Sequence, residues 1–311
     1  MVKENNRYLT EGLTALGWEE FLSDCRKQGY EKSVEKHIKS LEKGYILDLK
    51  RGDWSYLLSL NNGESKLLDI GSGWGTISIA LSKRCKQVVA MDISEEKSRF
   101  VKLRCEQDMV KNIFPLNANA LELPFADNSF DLVVLNGVLE WSALLNKNKD
   151  PLSVQKACLN EAKRVLKDNG MLYLAIENRF AATLLLGYKD EHTTLRFITL
   201  LPRKLANVYS KVFLKRDYRT YTHSLRSYRN ILQEVGFKEI IFFAPLPGYR
   251  DFAYLIPLDS KQMLRYFTSN IALPLTIFGY VFFSLAKLFM SFGFWRIVKY
   301  FVPDFSIFAR K

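Results

Sequence analysis

The sequence is short of the residues that staple or metallate a small protein. Four cysteines (Cys25, Cys85, Cys105 and Cys158) stand among 311 residues, with no Cys-x-x-Cys pair. That scarcity excludes a disulfide-dense secreted module, and the four are expected as small buried hydrophobes in a reducing compartment. With only three histidines, no local spacing assembles a zinc-type ligand set, so no metal is expected. Nine prolines and 16 glycines without a period exclude collagen and low-complexity disorder. No internal repeat is visible. The N-terminal MVKENNRYLTEGL puts no apolar run behind its charges, so a secretory signal is not expected. Charge-free stretches are short, with one exception. Between Arg265 and Lys287 lie 21 uncharged residues, Tyr266 to Ala286. As a helix they would reach roughly 32 Å, about one hydrocarbon core. Thr268, Ser269, Asn270 and Pro274 within the run argue against a true span.

What is present suffices for a large buried core: 48% of the residues are hydrophobic and 25% charged. The net charge of +12 is unevenly placed. Residues 1–190 carry 27 basic and 26 acidic side chains, whereas residues 191–311 carry 18 and 7. The balanced front and the basic back are expected to meet different partners.

Residues 1–60 read as an N-terminal helical region, with Leu13, Leu16, Trp18, Phe21 and Leu22 as apolar positions, closed by an Asn61-Asn62-Gly63 turn. Strands and helices then alternate. Strands are expected at Lys66–Ile70, Gln87–Met91, Asn112–Leu116, Phe130–Leu135 and Met171–Ile176. Helices fall at Thr76–Ser82, Ser94–Met109 and Ser153–Leu166, the last stopped by Asp168-Asn169-Gly170. Later come a helix at Leu225–Val235 and a sixth strand at Lys238–Phe243. The seventh is either Phe252–Ile256 or Phe305–Ala309; the second is preferred, which makes about 50 residues an insertion before it. The pattern predicts an α/β, doubly wound, mainly parallel seven-stranded sheet of Rossmann-like form with helical insertions. A core over 61–177 is expected to be followed by substrate-side insertions, remaining strands and an apolar, basic segment (about 266–300) within 178–311.

The strongest motif is Leu67-Leu68-Asp69-Ile70-Gly71-Ser72-Gly73-Trp74-Gly75-Thr76. A strand runs into a turn almost without side chains, and a helix starts at once, so a ligand can approach the backbone and the helix N–H groups. Asp92, 19 residues beyond Gly73, ends the next strand where a carboxylate can accept both hydroxyls of an adenosine ribose, with Ile93 beside it. A dinucleotide site wants Gly-x-Gly-x-x-Gly. Here Thr76 replaces that third glycine, and Asp69 would repel a pyrophosphate. S-adenosylmethionine carries a sulfonium and an ammonium and no phosphate, so it suits this pattern.

The blocks LLDIGSGWGT, VVAMDIS, ALELPFADNSFDLVVLNGVLEW and EAKRVLKDNGMLYLAIEN, in this order over roughly residues 60–180, resemble the class I S-adenosylmethionine-dependent methyltransferase family. The resemblance implies that Asp69, Gly71, Ser72, Gly73, Trp74 and Gly75 hold the methionine part and that Asp92 binds the ribose. It places Asn119, where many members have aspartate, and Ala120 beside the adenine, and Asn136 at the methionine and methyl group. Glu140 and Trp141 stand where many small-molecule members carry histidine.

The acceptor is expected over the carboxyl ends of the strands. An alcohol acceptor needs a base, whereas many amines or stabilised carbanions need less help. His192, oriented by Asp190 or Glu191, is the candidate base; His223 reads as a helix-entry residue. The Arg/Lys/Tyr series from Arg196 to Arg229 suits phosphate-bearing substrates or an anionic bilayer. No RNA-binding motif accompanies it, so nucleic acid is not expected. The crowd of Ile277, Phe278, Val281, Phe282, Phe283, Leu285, Leu288, Phe289, Phe292, Phe294 and Trp295, edged by Lys287, Arg296 and Lys299, has the composition of an interfacial helix or a homodimer surface. AIENRF, LLGYKDEHT, YTHSLRSYRNILQEVGF and APLPGY also resemble methyltransferases that accompany cell-surface polysaccharide assembly. The expectation is therefore O-methylation of a glycan or lipid-linked sugar by a cytoplasmic enzyme peripheral at the inner membrane face. The alternatives are a soluble methyltransferase of a secondary metabolite or quinone-like molecule, and a non-catalytic docking subunit of the same fold.

Overall fold

The computed structural model describes residues 15–38, 40–60, 63–270 and 277–311. Leu13, the Asn61-Asn62 pair and residues 271–276 of the uncharged run lie outside them, as do the side chains of Leu16, Ile277, Phe278, Val281, Phe282 and Phe283. Eight strands form one sheet: β1 (Lys66–Ile70), β2 (Gln87–Asp92), β3 (Ile113–Asn117), β4 (Phe130–Asn136), β5 (Leu166–Glu177), β6 (Lys238–Leu246), β7 (Tyr254–Pro257) and β8 (Asp304–Arg310). Their order is β3-β2-β1-β4-β5-β8-β6-β7. The first five neighbours pair in parallel. β8 inserts antiparallel between β5 and β6, and β7 adds an antiparallel edge. Both candidates for the last strand are thus strands: the preferred one is the internal β8, and the other lies within reach of edge strand β7. The order reverses at β1/β4, which opens a crevice at the carboxyl ends of these strands.

The helices follow their local chemistry. An N-terminal group comprises α1 (Ala15–Gln28), α2 (Tyr30–His37), α3 (Ser40–Leu47) and a 3-10 segment, Leu49–Leu57. Then come α4 (Thr76–Ser82), α5 (Glu95–Gln107), α6 (Pro151–Val165), α7 (Ala182–Leu185), α8 (Arg203–Leu214), α9 (Leu225–Val235), α10 (Lys261–Asn270), α11 (Ile277–Ser291) and α12 (Trp295–Val298). Ser94 caps α5 through the Lys97 N–H at 3.2 Å, with Glu95 and Glu96 in the first turn. Asp150 caps α6 through Ser153 N–H, and Pro151 fills the first helical position. That helix ends at Val165 rather than at Asp168-Asn169-Gly170. The backbone turns extended at Leu166, and the Asp-Asn-Gly triplet is absorbed as an irregularity of β5.

The sheet is buried on both faces, as the unbroken apolar runs of β1 and β4 require. One face packs against α6 and α9, through Leu159, Ala162, Leu232 and Val235 among others. On the other, Trp54 lies flat on Tyr173 with ring centroids 3.5 Å apart. A third cluster joins the N-terminal helices to the loop after β1: Trp18 stacks on Trp74 at 5.1 Å, and Phe21 and Phe100 close around them. The N-terminal region is therefore part of the frame of the site.

Candidate active site

A cavity of about 430 Å³ lies at the carboxyl ends of β1, β2 and β4. Its walls are Asp69 to Trp74 from β1 and its loop, Asp92 and Ile93 after β2, Ala118 and Ala120 after β3, and Asn136 to Val138 after β4. Gly71 sits at φ +71°, and a Cβ there would lie 2.4 Å from Val138 Cγ2, so only glycine lets the two loops meet. The N–H groups of Gly71 and Ser72 both donate to Met91 O, at 2.7 and 2.9 Å, tying the loop to β2.

Asp92 is fixed from two sides. Its Oδ2 accepts from Gly73 N–H and its Oδ1 from Ser94 N–H, each at 2.9 Å. The carboxylate therefore stands at the cavity rim in one orientation. Asp69 is deeper and fully buried; Ser78 Oγ donates to its Oδ2 at 2.6 Å. Burial pushes this carboxyl up to about 6, against the pull of that hydrogen bond. Thr76, at the position a third glycine would hold, donates its hydroxyl to Ile46 O at 2.6 Å and pins α4 to the N-terminal helices.

Ser72 Oγ and both amide atoms of Asn136 are buried without a hydrogen-bond partner. A ligand bearing hydroxyl, carboxylate and ammonium groups would satisfy them. The basic groups at the wall are engaged: Arg51 donates to Tyr45 O, and Arg250 pairs with Glu191 at 2.9 Å. Two carboxylates with orphaned amide and hydroxyl groups fit S-adenosylmethionine, and Asp69 disfavours a pyrophosphate, as the motif implied.

Two cofactor residues expected from the sequence do not line this cavity. Gly75, at φ +76°, is the N-cap of α4, where its missing Cβ makes room for Val101. Asn119 is exposed and its Oδ1 accepts from Leu121 N–H at 2.9 Å, so the wall there is Ala118 and Ala120.

Behind the wall formed by Trp141, Tyr249 and Arg250 lies a second polar group. His192, only 2% exposed, has Nε2 3.7 Å from Glu140 Oε1 and 3.9 Å from Glu177 Oε2, and Nδ1 3.5 Å from Asp190 Oδ1. Tyr249 Oη donates to Glu177 Oε1 at 2.9 Å, and the edge of Trp141 packs on the His192 ring at 4.9 Å. The sequence placed His192 in a polar loop facing the acceptor. The fold instead buries it outside the cavity lining, because its loop folds back onto the ends of β4 and β5. Asp190 is its neighbour as expected; Glu191 is turned to Arg250. Burial disfavours a charged imidazole there, but Glu177, Asp190 and Glu140 outweigh it and hold the ring protonated well above its ordinary 6.5. A ring already carrying its proton cannot take another, so this position is poorly suited to a base. His223 lies elsewhere, its Nε2 2.8 Å from Gln155 Oε1, while Ser224 caps α9.

Sequence reasoning missed the convergence of Glu140, Glu177, Tyr249 and Arg250. Glu177 carried a signal as the last residue of a strand at the crevice side. Tyr249 and Arg250 carried none, because they sit between β6 and β7, far along the chain.

The comparisons bear on what this cavity does. Residues 68–174 match the family model described as a methyltransferase domain. Most of the cavity wall, from Asp69 to Leu145, comes from that matched stretch. The ubiquinone/menaquinone biosynthesis C-methyltransferase UbiE of Rickettsia prowazekii is 33% identical over 122 residues, covering 37% of this chain and 45% of the relative. The chain thus spans less than half the length of that relative. A demethylmenaquinone methyltransferase of Bacillus cereus is 28% identical over 167 residues, 49% of this chain and 70% of that protein. Among solved structures, the 4+2 cyclase SpnF superposes with a TM-score of 0.50 at 14% identity, covering 85% of this chain and 80% of its own. That likeness shows the Rossmann-like fold, and its cyclase name shows that the fold alone does not fix the chemistry.

Proposed function

We propose that this chain is an S-adenosylmethionine-dependent methyltransferase whose acceptor is a small, largely apolar molecule of quinone-like or aromatic type. The carrying observation is the carboxylate of Asp92, locked by Gly73 and Ser94 at the mouth of the glycine-loop cavity. When bound, the cofactor supplies a methyl group on a sulfonium sulfur, ready for displacement. Asp92 accepts the ribose hydroxyls, Asp69 faces the ammonium, and Asn136 and Ser72 hydrogen-bond the methionine portion. Val138, Trp141, Leu144 and Leu145, all at the cavity wall, keep water from the reacting centre. Alignment then does much of the work.

The acceptor class is supported by what lines the cavity and by the names of the relatives. None of the described histidines is at the wall, so an unactivated sugar hydroxyl finds no imidazole base there. An acceptor carbon or oxygen that is already acidic needs less assistance. The quinone relatives fit that acceptor better than the glycan expected from the sequence. In this reading His192 and Glu191 do not touch the acceptor.

We propose also that the chain docks peripherally on an anionic bilayer, where an apolar acceptor would reside. Leu285, Leu288, Phe292 and Phe294 of the α11–α12 region are exposed beside Lys287 and Arg296. Among the described residues no helix is long and apolar enough to cross a membrane. The test is incubation of the full chain with methyl-labelled S-adenosylmethionine and a lysate split into lipid-soluble, glycan, RNA and protein fractions. Label in a small lipid-soluble product is expected. Label confined to the glycan fraction would restore the sugar acceptor, and label in RNA or protein would overturn the acceptor class.

A further inference from the structure

The buried group behind the cavity has the composition of a metal centre as well as its geometry. His192 Nε2, Glu140 Oε1 and Glu177 Oε2 all lie within 4.8 Å of one another. Glu140 is fully buried, and neither of its oxygens has a hydrogen-bond partner; the same holds for Glu177 Oε2 and both His192 nitrogens. The protonated His192, and Arg250 at 3.7 Å from Glu177 Oε1, compensate part of this charge, but the buried oxygens without hydrogen bonds remain costly. Neighbours already orient two of the ligands. Asp190 Oδ1 makes a 3.5 Å ion-pair contact with His192 Nδ1, which favours a proton there and leaves Nε2 to face Glu140 and Glu177. Tyr249 Oη holds Glu177 Oε1 and leaves Oε2 to face the histidine.

We propose that Glu140, Glu177 and His192 bind one divalent transition-metal ion of the Mn²⁺ or Zn²⁺ class. The ion displaces the proton that the surrounding carboxylates hold on His192; two carboxylates and the resulting neutral imidazole then balance its charge, and mixed nitrogen and oxygen donors suit these ions. Bonds of about 2.0–2.2 Å place ligand atoms about 3.0–3.6 Å apart. The His192–carboxylate separations of 3.7 and 3.9 Å need to close by tenths of an ångström, and the two carboxylate oxygens, within 4.8 Å of each other, by up to about 1.2 Å. The ligands come from the loop after β4, the end of β5 and the segment after α7. The ion therefore ties that segment to the sheet and fixes Trp141, which packs on His192 and lines the cavity. Local spacing could not reveal it, since the three residues are brought together only by the fold.

Ion binding at this site is independent of methyl transfer and can be followed without activity. Chelator-treated full chain is titrated with MnCl₂, followed by loss of the free-ion paramagnetic resonance signal, and separately with ZnCl₂ by calorimetry. One ion per chain is expected, with at least tenfold weaker binding in Glu140→Gln and in Asp190→Asn. The unfolding temperature of the wild-type chain should rise by about 4 °C at a free ion concentration a hundredfold above Kd. Glu140→Gln removes a buried charge and retains the shape, so it should remain folded by circular dichroism. If that variant is unfolded, Asp190→Asn alone decides. Absence of uptake by the wild-type chain, or uptake unchanged in the folded variants, overturns the proposal.

Discussion

The loop after β1 is held by shape, and that can be measured with a pair of alanines. Gly71 has φ +71°, and a Cβ there would meet Val138 Cγ2 at 2.4 Å and Cγ1 at 3.0 Å. Gly73 has φ +54°, with nothing within 4 Å of its notional Cβ. Both substitutions place an L-residue in the left-handed region, at about 1–2 kcal/mol. Only Gly71→Ala adds a clash inside a packed contact, worth about 1–3 kcal/mol more. Gly71→Ala is thus expected to lose about 2–5 kcal/mol and Gly73→Ala about 1–2 kcal/mol. Urea unfolding of the chain without cofactor gives the comparison, provided the slopes agree. Adding Val138→Ala to Gly71→Ala should recover at least about 1 kcal/mol, while the backbone cost remains. Equal losses at the two glycines, or no recovery with Val138→Ala, would refute the contact.

Asp69 gives a pH-dependent outcome. Its carboxyl is raised from 3.8 to about 6, so between these values the folded chain keeps a proton that the unfolded chain has lost. Stability from this group therefore falls as pH rises through that window, by up to about 3 kcal/mol. Asp69→Asn should exceed wild type in urea midpoint at pH 7.5 and match it near pH 4; a pH-independent deficit would contradict this. Phe292→Asp with Phe294→Asp should weaken flotation with anionic liposomes at least tenfold and leave the unfolding temperature within about 2 °C; equal flotation would remove the bilayer contact.

Much of the frame was legible because it is local. Alternating runs such as FDLVVL, the glycine loop and Asp92 at a strand end are read from adjacent residues, and the structure places them together at one crevice. Helix ends were less so: Asp168-Asn169-Gly170 looks like a helix stop, but the extended pairing of Leu166 with Phe130 takes over earlier. The second edge strand was hidden because two short apolar runs competed for a single place in a seven-stranded pattern. The group around His192 was the least legible. A histidine among Asp, Glu and Thr reads as solvated loop, and only the return of that loop to Glu140 and Glu177 buries it. Tyr249 and Arg250 reach the cavity from more than a hundred residues beyond Asn136, a distance no periodicity encodes.

The most direct measurement is calorimetric titration of the purified chain and of Asp92→Ala with S-adenosylmethionine. One molecule is expected to bind per chain. The variant should bind about a hundredfold more weakly, the loss of two charge-assisted hydrogen bonds totalling about 3 kcal/mol. No heat with the wild-type chain, or equal affinity in the variant, would contradict the assignment of the cavity.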